Sequence, residues 1–269
     1  MPFPDAPLVD THFHLYTQDM PLTATAWHHP AGDATAEDFI ATMDAHGVGF
    51  GVIAAASLNG AYNDYAIRAC RKYPRLRTTI NATPDMDLFT LERMKAEGVV
   101  GIRFVLSRSA TIPDFTTPEY RLLLRRVADL DWHVQVLDNS PRLPPTIAAM
   151  ENAGVKLVID HLGKPDPVAG VNCPGFKAVL ASIERGRTWA KLSGGFRMAS
   201  KEAAREYAHA LIRVAGGERL MFASDWPFAA FEDRVTYADT IAAFHDWVPD
   251  PLLRAQIGGD TPMRLYFRD

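Results

Sequence analysis

Two histidines one residue apart, His12 and His14, stand close to the start of the 269-residue chain. In an extended segment alternate side chains point the same way, so Leu8–His14 turns both imidazoles to one side. Further along, the apolar run Val155–Ile159 ends in Asp160-His161, and the run Leu220–Ala223 ends in Ser224-Asp225. Imidazoles gathered around a carboxylate can move protons to and from water, or can hold a divalent cation. Each residue alone has an ordinary explanation. A histidine at a strand end is commonly a satisfied polar group, a His-x-His pair is a weak signal, and Asp225, in an Asp-x-Pro setting, suits a helix cap. Four such groups placed at the ends of successive apolar runs favour a shared site. His28, His46, His133, His209 and His245 fall in loops, helices or strand starts and read as structural.

A second group of residues suits anions. Arg103 interrupts the apolar segment Gly101-Ile102-Arg103-Phe104-Val105. A guanidinium there is costly unless paired, either with a core carboxylate or with a bidentate anionic ligand. Arg197 follows Ser193-Gly194-Gly195-Phe196, and Arg108 and Lys164 sit on loops just past apolar runs, where a solvated cation is the plain alternative.

These residues need a frame, and the chain supplies a repeating one. Short β-branched runs alternate with amphipathic stretches: Leu8–His14, Gly51–Ser57, Arg77–Thr83, Val99–Val105, His133–Leu137, Val155–His161, Thr188–Gly194 and Leu220–Asp225. Between them, helices are predicted from the Thr35 cap to His46-Gly47, over Asn63–Tyr73 and Leu88–Glu97, from Thr117-Pro118-Glu119, over Leu143–Asn152, from Pro174, and over Glu202–Ala215. Tyr237–Trp247 and Pro251–Gly258 end the pattern. Regular β-α alternation without a linker implies parallel pairing through crossover helices. Eight beats favour closure into a single-domain (β/α)8 TIM barrel spanning 1–269. An open doubly wound sheet is the competitor, but no glycine-rich phosphate loop follows the first run. In such barrels chemistry sits at the C-terminal strand ends, where His12, His14, His161 and Asp225 fall, and strand eight neighbours strand one. The long connection Tyr16–Ala34 is a candidate lid.

The motifs resemble the amidohydrolase superfamily, specifically its 2-pyrone-4,6-dicarboxylate lactonase and sugar-lactonase branch. The resemblance rests on Val9–His14, Gly101–Phe104, Asp131–Val134, Val158–Asp166, Trp189–Ser193, Ser224–Pro227 and Thr261–Tyr266, in family order. The most specific are Asp160-His161-Leu162-Gly163-Lys164-Pro165 and Ser224-Asp225-Trp226-Pro227. It implies a lactone hydrolase in which Asp225 deprotonates the attacking water and His12, His14 and His161 surround that water and the scissile carbonyl. It further implies that Arg103 and Arg197 hold substrate carboxylates, with Ser57 and His29 as additional contacts. Two features depart from the branch. Val136-Leu137-Asp138 stands where the pyrone lactonases carry an aromatic, and Arg108 matches the second arginine only approximately. A lactone with a different acid arrangement, such as a sugar-acid lactone, therefore stands beside the pyrone dicarboxylate.

The usual binuclear metal site is not expected, because strand four offers Arg103 and Ser107 in place of a bridging ligand and strand five has no histidine at its C-terminal end. The resembling branch works without metal, so no cofactor is expected; a single zinc on His12, His14, His161 and Asp225 is the alternative. Two other activities fit the same residues: a lactone isomerase, and a zinc-dependent decarboxylase of an aromatic or muconate-type acid. The formal charge of −4 offers no general attraction to nucleic acid or an acidic membrane. Cys70 and Cys173 lack metal-like spacing and read as reduced thiols. No apolar run is long enough to span a bilayer, and Met1–Pro7 lacks the blocks of a signal peptide. The expectation is a cytoplasmic monomer or small homo-oligomer acting on a small anionic lactone.

Overall fold

The computed structural model describes residues 7–267, so the proline-rich start at residues 1–6 lies outside the described residues. Eight parallel strands lie side by side in chain order: β1 Leu8–Phe13, β2 Val48–Ile53, β3 Leu76–Ile80, β4 Val99–Val105, β5 His133–Leu137, β6 Lys156–Ile159, β7 Thr188–Leu192 and β8 Leu220–Phe222. The sheet curls into a nearly closed barrel. Its seam joins the segments just beyond β8 to the end of β1: the Asp225 amide donates to the His12 carbonyl at 2.8 Å, and the His14 amide to the Trp226 carbonyl at 2.8 Å. This is the (β/α)8 architecture that the alternating pattern predicts.

Helices α1 Ala36–Ala45, α2 Asp64–Lys72, α3 Leu88–Ala96, α4 Pro118–Asp129, α5 Leu143–Ala153, α6 Pro174–Glu184, α7 Lys201–Ala215 and α8 Tyr237–Trp247 form the outer layer. Their ends follow local chemistry. Thr35 and Asp38 make a reciprocal capping box at α1, as do Thr236 and Asp239 at α8, and α5 stops at left-handed Gly154. The largest core lies between strands and helices, with Ile102, Val134, Leu157, Phe176, Leu211 and Phe222 fully buried. Inside the barrel, Val52, Val158 and Met221 meet Tyr266, which plugs the N-terminal end.

Tyr266 belongs to an element that the sequence pattern cuts short. Beyond α9 Pro251–Ala255 the chain makes a π-turn over Gln256–Asp260 and continues as α10 Thr261–Tyr266. Gly258 does not stop the helix. A β-carbon there would lie 2.8 Å from Leu8, so the missing side chain serves close packing against β1.

Candidate active site

The carboxylate of Asp160, at the end of β6, lies at the centre of the barrel and is fully buried. It accepts from Arg103 of β4 (Nε 3.2 Å, Nη2 3.0 Å), from Gln135 of β5 (2.9 Å) and from His12 Nδ1 of β1 (3.1 Å), and Lys191 of β7 stands 3.5 Å away. Burial alone would push Asp160 up, but His12, Lys191 and Arg103 hold it well below the usual carboxylate range. The same burial lowers Lys191 to about 8, with Asp160 opposing. Such a cluster is tolerable in a dry interior because each charge has partners on several strands. Lys191 also donates to the Thr11 carbonyl at 2.7 Å, tying β7 to β1.

The cluster fixes His12. Burial keeps this imidazole neutral, its pKa well below the ordinary value, and Nδ1 faces an acceptor-only carboxylate, so Nδ1 carries the hydrogen and Nε2 keeps its lone pair. His14 Nδ1 likewise faces an acceptor, the Ala54 carbonyl, at 2.8 Å. The two Nε2 atoms are 3.2 Å apart, and Asp225 Oδ1 faces them at 3.7 and 3.5 Å. His161 completes the ring, with Nε2 3.8 Å from Asp225 Oδ2 and Nδ1 2.9 Å from Ser193 Oγ; burial lowers it to about 4. Arg197 Nε donates to Asp225 Oδ2 at 2.6 Å. Against the desolvation that would raise it, Arg197 and His161 hold Asp225 well below the usual range, so it is ionised.

Local backbone turns these groups inward. β6 and β8 end earlier than the apolar runs suggest, at Ile159 and Phe222, and the residues beyond leave the sheet. His161, Leu162, Gly163 and Lys164 have φ of +49°, +55°, +73° and +42°, and Asp225 has +68°. Non-glycine residues hold such angles only where surroundings enforce them, and they gather at functional sites. Gly194, at φ +65°, makes room: a β-carbon there would sit 3.0 Å from the His161 ring. Asp10 clamps the seam below, accepting from the backbone amides of Ser224 (3.0 Å) and His12 (3.1 Å), from Ser224 Oγ and from Tyr237 (2.9 Å); burial pushes it up to about 6.

Above the ring opens a pocket lined by His14, Ser57, Arg103, Arg108, His161, Lys164, Arg197 and Asp225, together with Tyr16, Trp27 and Leu137. His12 lies beneath its floor. Most of the residues singled out from the sequence thus converge. Two are placed differently than expected. Arg103 does not offer a free fork: its nitrogens go to Asp160 and, at 2.6 Å, to the Ala55 carbonyl. His29 lines a neighbouring pocket with Gln18, Leu22 and Asn59. The connection read as a lid is pinched at its neck by paired Tyr16 and Ala34, and its Trp27 ring lies 4.0 Å from the Arg108 guanidinium. Asp160, Lys191, Gln135 and Asp10 were not singled out. The signal for Lys191 was present, a charge inside the apolar strand Thr188-Trp189-Ala190-Lys191-Leu192, of the kind that marks Arg103.

The residues also offer ligand atoms for a single divalent ion. His12 Nε2, His14 Nε2 and an Asp225 oxygen lie within 4.8 Å of one another, as do ligand atoms of His12, Asp160 and His161. The second trio overlaps the salt-bridged Asp160 and is the poorer donor set.

The chain belongs to the amidohydrolase family, whose model matches residues 9–268. It is similar to the 4-sulfomuconolactone hydrolase of Hydrogenophaga intermedia, 26% identical over 96% of this chain and 88% of the relative. It is equally similar to the 2-pyrone-4,6-dicarboxylate hydrolase of Comamonas testosteroni, 26% identical over 96% and 90%. These relatives are lactone hydrolases. Among solved structures, an Acinetobacter baumannii protein described as a 2-pyrone-4,6-dicarboxylic acid hydrolase, with citric acid bound, superposes with TM-score 0.92 at 28% identity over 97% of this chain and 99% of its own. A zinc-bound amidohydrolase from Burkholderia multivorans shares the fold at TM-score 0.79 and 20% identity, over 98% and 100%.

Proposed function

We propose that the chain hydrolyses a small carboxylated lactone, using Asp225 as the base that activates water. The observation that carries this reading is the asymmetry of the Asp225 carboxylate. Oδ2 is held by Arg197, while Oδ1 is turned to the imidazole ring beneath an electropositive pocket. The substrate carboxylate pairs with Arg197, and Arg108 and Lys164 complete an anion-holding wall, with Ser57 opposite. As the substrate anion draws Arg197 away, Asp225 loses the partner that makes it a weak base. Asp225 then removes a proton from water as the water oxygen bonds to the lactone carbonyl carbon. His161 and Lys164 stabilise the oxyanion. Collapse breaks the ring C–O bond, and the proton held by Asp225 passes to the leaving oxygen.

The reading is metal-independent, and Arg103 supports that. Its Nη2 stands 3.5 Å from His12 Nε2, placing a fixed cation against the atom that a divalent ion would need. A second reading, with a divalent ion, rests on the convergence of ligand atoms of His12, His14 and Asp225 within 4.8 Å of one another. His12, His14 and Asp225 would hold such an ion, which would lower the pKa of a bound water.

The test is turnover of a panel of dicarboxylate and sugar-acid lactones, with products followed by NMR and metal content measured before and after chelation. Ring-opened acid formed at an unchanged rate after chelation supports the proposal. A second lactone as product, or carbon dioxide release, overturns hydrolysis; activity lost with one metal ion per chain moves the site to the second reading.

A further inference from the structure

Beside the mouth lies a second pocket of about 490 Å³, against about 100 Å³ for the mouth itself. Lys164 and Arg197 line both, so they form the wall between the two. Arg142 adds a third cation to the second pocket, and among the described residues Asp166 is the one carboxylate lining it. Arg142 is held in place from behind, 3.3 Å from the buried Asp138 carboxylate and donating to the Ser109 carbonyl at 2.9 Å. Lys164 is different. Among the described residues it has no ion-pair partner, although it is largely buried: burial, Arg108 and Arg197 all depress its pKa, and only Asp138, from a distance, opposes them. Its backbone is held left-handed by bonds at both ends, from its amide to the His161 carbonyl and from the Ser140 amide to its own carbonyl, each 3.0 Å. An unpaired, half-desolvated ammonium set at a strained backbone position, between two pockets with surplus positive charge, is a site that lacks its anion.

We propose that the side pocket takes a further acid group carried on an arm of the same ligand whose ring occupies the mouth. This rests on the reading of the mouth as an anionic-lactone site and narrows it: the substrate is a lactone bearing an acidic arm that reaches past Lys164 toward Arg142. A linked arm is favoured over a separate anion because the two pockets share their cations. One molecule can bridge both, and the second contact then forms at high effective concentration.

Calorimetric titration tests this without turnover, using pentanoate (butane-1-carboxylate) and adipate (butane-1,4-dicarboxylate), which differ by one carboxylate. The wild-type protein should bind adipate at least about 10-fold more tightly, a gain of about 1.4 kcal/mol. Ala199→Trp, which fills the exposed side of the side pocket, and Arg142→Met should each erase that gain while leaving pentanoate affinity unchanged. Asp166→Asn should enlarge it a few-fold. Equal affinity for both compounds, or a gain that survives Ala199→Trp, overturns the proposal. So does inorganic phosphate binding beside saturating pentanoate with the same Arg142 dependence, since that makes the pocket a separate anion site. Pentanoate binding indifferent to Arg197→Met overturns the reading of the mouth itself. Pentanoate binding that needs Arg197, with no gain from the second carboxylate, overturns the side pocket alone.

Discussion

Histidines occupy both ends of the barrel interior, and the two ends use them in opposite ways. At the C-terminal end His12, His14 and His161 surround an ionised carboxylate, and their Nε2 atoms face one another and Asp225. At the N-terminal end His133 is just as buried, yet it donates from Nδ1 to the Val100 carbonyl, stacks edge-on against Tyr266 and, among the described residues, leaves Nε2 without a partner. Burial lowers it to about 3. The difference lies in what surrounds the ring. The mouth has cations and carboxylates from β4, β6, β7 and β8 or the segments just past them, while the base is lined by Val52, Val158 and Met221. A buried imidazole becomes a candidate for chemistry only where its second nitrogen faces groups that can exchange protons or charge with it.

The largest expected effect comes from the mouth. Asp225→Asn should lower kcat by about 10²–10⁴-fold, the usual worth of a positioned base, with a thermal unfolding midpoint no lower than the parent's. Near-normal kcat removes Asp225 from its role. Next is Asp160→Ala, which leaves Arg103 and Lys191 buried without their shared counter-ion. Stability should fall by about 3–5 kcal/mol in urea unfolding. A loss below about 1 kcal/mol means that the charges find water, and the contrast between a dry cluster and a wet mouth fails.

The base should respond to pH. His133 has a folded-state pKa of about 3, below its ordinary value of 6.5. A depressed value means that stability is complete above about pH 6.5 and is lost as pH falls toward 3, because the unfolded chain takes up the proton first. Unfolding curves of the parent and His133→Gln should therefore converge on acidification, with the difference changing by about 2 kcal/mol between pH 7 and pH 5. A constant difference shows that His133 is solvated. The smallest effect belongs to Tyr266→Phe. It removes a buried hydroxyl that has no partner among the described residues, so stability should hold or rise by about 1 kcal/mol. A clear loss reveals a partner for that hydroxyl and makes the base more like the mouth.

Much of this architecture can be read from the chain. β4 and β5 begin and end at the expected residues, Val99–Val105 and His133–Leu137, because β-branched runs there are bounded by glycine or helix-stop signals. The runs ending in Asp160-His161, Ser193-Gly194 and Ser224-Asp225 read as longer strands than they are. Left-handed conformations at His161 and Asp225 carry no composition signal, and they are enforced by tertiary contacts. The placement of His12, His14, His161 and Asp225 around one pocket follows from barrel closure and strand-end logic. The partner of Arg103 does not: Asp160 lies 57 residues away, and only the finished barrel shows that Arg103, Gln135 and Lys191 aim at one carboxylate.

The seam has a consequence for how the molecule comes into being. Every neighbouring strand pair from β1 to β8 joins segments linked by a single crossover, whereas the Ser224 to Asp10 bond spans 214 residues. Loop-closure entropy makes that contact the costliest to form early, and high sequence separation slows its appearance. The step that brings Asp225 to His12 is then expected late in folding. Regained turnover during refolding should accordingly report ring closure, trailing the recovery of helical circular dichroism, so that the catalytic centre acts as the molecule's own indicator of completed assembly.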